Sequence, residues 1–212
     1  MAKSKEKQRV LTNAEKKRIE TVQQITAELE DKGYQKEEVT INLVYANVMA
    51  FVLCLPICAA FAIWFSIYNS GYSFHIGMYQ PLIFLLLILV FVIVHELIHG
   101  ICWSISAKNH WKSIDFGFIK EYLTPYCTCM EPLTKPAYII GCLMPGIVLG
   151  ILPMTVAVFM NSISILLFGA FMTLAAGGDL LIALKLLLYK YNQQNAILLD
   201  HPTLCGFIIY KK

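Results

Sequence analysis

Between Glu38 and Glu96 the chain carries no Asp, Glu, Lys or Arg. That stretch has room for two helices of about 20 residues, each long enough to cross a bilayer, with a turn between them. Hydrophobic residues make up 58% of the 212 and charged ones only 15%. With a mean hydropathy of +0.62, this is the composition of an integral membrane protein and not of an ordinary soluble domain.

Four spans are expected, over about 41–68, 80–106, 136–159 and 164–188. Pro56 is a candidate kink in the first, and Pro81 suits the first turn of the second. The third is unusually interrupted, by Gly141, Pro145, Gly146, Gly150 and Pro153; Gly146-x-x-x-Gly150 permits close helix approach, and the prolines allow unwinding beside a cavity. All 17 Lys and Arg fall within 1–40, 108–135, 185–190 and 211–212. The positive-inside rule then places both termini in the cytoplasm. A charged segment of 40 residues precedes the first apolar run, so no cleavable signal peptide is expected. Seven cysteines at no framework spacing are expected as free thiols, and Cys127-x-Cys129 lacks the gap of a zinc knuckle.

The expected fold class is an all-α membrane protein with two additions. Residues 1–40 form a cytoplasmic polar segment in which Thr12-Asn13-Ala14-Glu15 caps a helix, Ile19, Val22, Ile25 and Leu29 make an apolar stripe, and Gly33 ends it. The stripe packs on the protein's own cytoplasmic face, or on a membrane or partner surface. After the second span, 113–122 and 126–130 alternate as strands of a short β-hairpin, with Thr124-Pro125 marking the turn. Residues 41–190 are then the membrane domain, and 191–212 a cytoplasmic tail that reads as a turn and a short strand.

The second span ends in His95-Glu96-Leu-Ile-His99-Gly100. Positions four apart share a helix face, so both imidazoles can address one point while Glu96 reaches an attacking water without binding the metal. That is the HExxH spacing of zinc hydrolases, in which two neutral nitrogens hold the ion and the carboxylate takes a proton from water. By chance the motif means little on a soluble helix. Inside an apolar span each central charge costs about 2.5–3.5 kcal/mol on insertion scales, so such groups are kept for use.

His95 lies 14 positions after Pro81, or about 21 Å along a helix rising about 1.5 Å per residue, in the cytoplasmic half of the bilayer. Asp179 is the only carboxylate of the fourth span and stands about 15 residues in from the same side. The matched depth makes it the third metal ligand, against the alternative of an aspartate paired with Lys185 or a helix end. Asp115, Glu121, Glu131 and Asp200-His201 lie in loops or the tail. Asp200-His201 more simply makes a turn with Pro202, or else binds substrate or a second metal. His75 reads as a surface histidine.

His95-Glu96-Leu-Ile-His99 on a second span and Gly178-Asp179 on a fourth resemble the core of site-2 intramembrane metalloproteases. More closely, over roughly 35–210, the chain resembles a family of small membrane proteins described as putative zincin peptidases, with its HELIHG motif, third-span proline, fourth-span Gly-Asp and Asp-His-Pro-x-x-x-Gly tail. The resemblance implies His95, His99 and Asp179 as zinc ligands and Glu96 as general base. Site-2 proteases usually carry an asparagine beside the third-span proline; Leu143-Met144-Pro145-Gly146 supplies only the proline.

The expected function is a zinc-dependent endopeptidase, one Zn2+ per chain, acting on membrane-associated protein or peptide substrates in the lipid bilayer. The broken third span at Pro145 and Gly146, or the hairpin at Phe116 and Phe118, holds the unwound substrate. The net charge of +3 gives no reason to expect nucleic acid. Two other readings use the same buried groups: a non-catalytic metal-binding membrane protein, and a small transporter with His95, Glu96 and Asp179 as an ion or proton path.

Overall fold

A computed structural model describes residues 12–69, 71, 77–119, 124–189 and 196–212; His75 and Glu121 lie outside them. In chain order the elements are α1 (Asn13–Asp31), β1 (Gln35–Thr40), α2 (Leu43–Tyr68), α3 (Gln80–Ser106), a 3-10 turn (His110–Ser113), β2 (Ile114–Ile119) and β3 (Thr124–Cys129). Then come α4 (Lys135–Pro145), a π-helical segment (Gly146–Ile151), α5 (Leu152–Met160), α6 (Ile163–Ala175), α7 (Gly177–Leu188), β4 (Ile197–Asp200) and β5 (Gly206–Lys211).

The chain is mostly helical, and three helices are long and apolar enough to cross a membrane: Val44–Tyr68, Gln80–Ser106 and Lys135–Met160. The third is more enclosed than the others, with 39% of its apolar window buried against 11% for each of the first two. It is therefore the central span, and the others turn apolar side chains such as Phe51, Leu55, Leu86 and Ile93 outward. Its interruptions do not unwind it. A π-helical turn absorbs them, with the Leu152 N–H bonding back five residues to the Ile147 carbonyl. Gly146 and Gly150 both meet the α6 side, at Ala176 and Thr173, so their missing side chains do set a close helix approach.

The fourth expected span is not one straight helix. Residues 163–188 form α6 and α7, bent by 50°, with the break at Ala176 before Gly177-Gly178, two residues of poor helix propensity. Among the described residues, the helices long and apolar enough to cross a membrane number three, or four if the bent pair is one span.

The described residues hold two small sheets: a hairpin after the second long helix, as expected, and a three-stranded sheet that the all-α expectation, with its single tail strand, did not include. β1, β5 and β4 form an antiparallel sheet in that order, with Gln35 opposite Lys211 and Leu199 opposite Ile208. β5 is its buried centre. Phe207 and Ile209 pack on one side among Trp103, Tyr138, Ala183 and Leu186. Ile208 and Tyr210 pack on the other against Val22 and Leu29 of α1. This is the two-residue alternation of a strand covered on both faces. The α1 stripe is thus covered by the protein's own sheet. α1 begins at the expected capping box, with Glu15 N–H to Thr12 Oγ1 at 3.3 Å and Thr12 N–H to Glu15 Oε2 at 2.8 Å. It ends at Gly33, φ +82°.

The second sheet pairs β2 with β3 after the second long helix. Thr124 and Pro125 lie inside β3, opposite Ile119 and Phe118, and not at a turn. Pro125 is tolerated there because its position in the ladder needs no N–H. The Met130 N–H donates to the Ser113 carbonyl at 2.7 Å. Antiparallel pairs alternate, so Cys129, Cys127 and Pro125 turn their backbone groups away from β2. All seven cysteines are free.

At Gly206 φ is +144°, and a Cβ there would collide with the Val39 carbonyl oxygen and come within 2.9 Å of Thr40 Cα. Gly206→Ala is expected to destabilise the β1–β5 junction by about 1–3 kcal/mol, the usual range for such backbone strain. The check is a lowered midpoint in thermal unfolding of the detergent-solubilised protein; an unchanged midpoint would contradict the strained geometry.

Candidate metal centre

His95, His99 and Trp103 follow one another at four-residue spacing along one face of α3, and all three are buried. His95 Nε2 and His99 Nε2 lie 3.1 Å apart. Asp179 Oδ2 approaches them at 3.1 Å and 3.5 Å respectively. Among the described residues these three form a group able to hold a metal ion.

Each side chain is positioned for an identifiable reason. His99 Nδ1 stands 2.8 Å from the Gly141 carbonyl oxygen. A carbonyl only accepts, so Nδ1 carries the hydrogen and the Nε2 lone pair faces Asp179 and His95. Trp103 stacks on His99 at 5.0 Å and 17°, and its Nε1–H donates to the Tyr138 carbonyl at 3.3 Å. Gly141 has to be glycine: a Cβ there would enter the Trp103 indole. Asp179 sits in the first turn of α7, where the helix dipole favours a carboxylate. Gly177 lets α7 approach α2, since its Cβ would come within 2.9 Å of Ala50 Cα. The Asp179 side chain, 25% exposed, is the most accessible of the three.

The donor set fits zinc. Tetrahedral bonds of about 2.0–2.2 Å separate neighbouring ligand atoms by about 3.3–3.6 Å, and the observed 3.1, 3.1 and 3.5 Å lie close to that range. Two imidazoles and one carboxylate also leave a coordination position for water or substrate, as in catalytic and not structural sites.

Glu96 is partly buried beside the three, and the Cys127 backbone N–H faces its carboxylate. That amide is one of those β3 turns away from β2. Gly100 makes the approach possible: a Cβ there would come within 2.7 Å of Phe116 Cζ and 3.2 Å of Ile114 Cγ2. Phe116 and Phe118 are 40% and 51% exposed on the same sheet. Pro145 is buried at the end of α4, and Gly146 lies against Ala176.

The described rival groups are not part of this cluster. Glu131 accepts from the Lys108 N–H at 2.7 Å and from Asn109. Asp115 is in β2 opposite Thr128. Asp200 accepts from Thr128, Cys129 and Tyr138. His201 Nδ1 accepts from the Thr203 and Leu204 N–H groups, closing the turn before β5. Sequence reasoning missed Gly141, Trp103 and Tyr138. Trp103 had a readable signal, four residues beyond His99; the Gly141 carbonyl had none, because any residue has one.

The model of the family described as putative zincin peptidase matches residues 87–194, a span containing His95, Glu96, His99 and Asp179. No curated protein and no solved structure matches the chain.

Proposed function

Since the chain belongs to the putative zincin peptidase family, we propose that it is a zinc-dependent endopeptidase embedded in the membrane, cutting membrane-associated proteins. The observation that carries this is the meeting of His95, His99 and Asp179 beside Glu96.

A zinc ion held by those three side chains would supply Lewis-acid polarisation of the scissile carbonyl and lower the pKa of attacking water. Glu96 takes the proton as that water adds to the carbonyl carbon, then delivers it to the amine nitrogen as the C–N bond breaks. An unwound substrate would lie along the β2–β3 hairpin beside Glu96 through side-chain contacts, with exposed Phe116 and Phe118 as candidates. The outward N–H groups of β3 are already engaged, Cys127 by Glu96 and Cys129 by Asp200. Pro145 and Gly146 would act from behind, through the packing of the central span.

The β1–β5 pairing supports multi-pass insertion with both ends of the chain on one side, and the Lys and Arg distribution supports the cytoplasmic side. Strands that pair stand on the same side of a bilayer, which requires an even number of crossings. The α6–α7 pair then completes the fourth crossing, and its bend sets Asp179 at the depth of the histidines.

Purified protein in detergent is expected to hold one zinc per chain, lost on changing His95, His99 or Asp179 to Ala, while the protein still elutes as a folded species. Elemental analysis after gel filtration reads this directly. Wild-type protein that holds no zinc after loading would overturn the proposal.

A further inference from the structure

Asp200 lies outside the family match, at the end of β4, yet it stands behind the candidate metal centre. Its Oδ1 accepts the Tyr138 hydroxyl at 2.5 Å. Its Oδ2 accepts the Thr128 hydroxyl at 2.9 Å and the Cys129 N–H at 3.1 Å. Tyr138 and Thr128 are 2% and 7% exposed, so neither hydroxyl has ready access to water in exchange. With three donors on its two oxygens, Asp200 is committed to joining elements and not to binding an ion. Burial raises its carboxyl above the usual range, against the opposite pull of Tyr138, Cys129 and Thr128.

Two lines of contact leave this carboxylate. Along the first, the Tyr138 ring leans on Trp103 at 5.8 Å and 31°, and Trp103 is stacked on His99. Along the second, Cys129 belongs to the same strand edge as Cys127, whose N–H faces Glu96. One side chain of the tail therefore backs both a candidate ligand and the candidate base, from different elements.

We propose that Asp200 is a positioning residue of the metal centre, fixing His99 through Tyr138 and Trp103 and fixing Glu96 through β3. This rests on the zinc-peptidase reading above. It gives the tail a part in the site: β4, paired with β5 and with Asp200 opposite Phe207, holds the supporting carboxylate in place. Groups that orient metal ligands typically change metal affinity by about 10–100-fold when altered.

The test uses the full-length, zinc-loaded protein in detergent, with Asp200→Asn, Tyr138→Phe and Thr128→Val. Zinc loss to a competing chelator is followed alongside kcat and KM for a membrane-anchored reporter, and unfolding of the metal-free proteins serves as the folding control. Asp200→Asn and Tyr138→Phe are expected to release zinc about 10–100-fold more readily. Thr128→Val should keep zinc and lower kcat with KM unchanged. If Asp200→Asn does not fold, the other two variants decide, since each keeps the carboxylate. Wild-type zinc retention in Tyr138→Phe, with wild-type kcat in Thr128→Val, would overturn the role of Asp200 while leaving the peptidase reading intact. A wild-type protein without zinc would end both.

Discussion

Glu96→Gln is expected to keep its zinc and lose cleavage of a membrane-anchored reporter by about 100- to 10,000-fold, the usual worth of a positioned general acid–base group. The substitution preserves shape, and the amide oxygen still accepts from the Cys127 N–H that faces position 96. It removes only the ability to take and return a proton. Ligand geometry on α3 is untouched, because His99 is held by Gly141 and Trp103 and not by Glu96. Reporter cleavage in proteoliposomes, read beside zinc content, separates the two effects. Full activity with Gln at 96 would end the peptidase reading and leave a metal-binding membrane protein. Ion flux dependent on Glu96 in the same liposomes would point to a transporter instead.

The second large effect is expected at Gly141, which touches no substrate. Its carbonyl accepts from His99 Nδ1 at 2.8 Å, while the space a side chain would fill is taken by the Trp103 indole. Gly141→Ala drives one of these apart. Overpacking of this kind costs about 1–3 kcal/mol in stability. The local effect should be larger, because the ring displaced is the one stacked on His99. Zinc retention is expected to fall about 10–100-fold, as for other groups that orient ligands. Trimming the ring in Gly141→Ala/Trp103→Phe should recover part of the stability, since the clash is with the indole. Thermal unfolding with and without chelator measures both quantities. A Gly141→Ala protein with normal zinc retention would show that the α3–α4 contact does not hold His99.

These effects bear on how much of the molecule could be read from its residues. The three long helices fell close to their expected bounds, Gln80–Ser106 matching both ends, because an apolar run of bilayer length admits few other structures. The capping box at Thr12 and the stop at Gly33 were likewise local, and so readable. β1 was not. Gln35-Lys-Glu-Glu-Val-Thr40 is polar and carries no alternation, and it is a strand only because β5 lies beside it. Glu37, linked to Lys211 and Tyr189, makes sense only after that pairing. The break between α6 and α7 had a hint in Gly177-Gly178, but its 50° bend depends on what each half packs against.

The sequence by itself determined that the chain carries helices long and apolar enough to cross a membrane, and that His95, Glu96 and His99 share one stretch of helix. Each follows from spacing along a single segment, and local spacing is what a helix converts directly into direction. Only the tertiary structure decided that Asp179 Oδ2 comes within 3.1–3.5 Å of both rings. It alone decided that a backbone carbonyl of α4 sets the His99 tautomer, and that a carboxylate from the tail backs the site. Those contacts join residues 42 to 84 positions apart, and no periodicity within one segment can encode the distance between two.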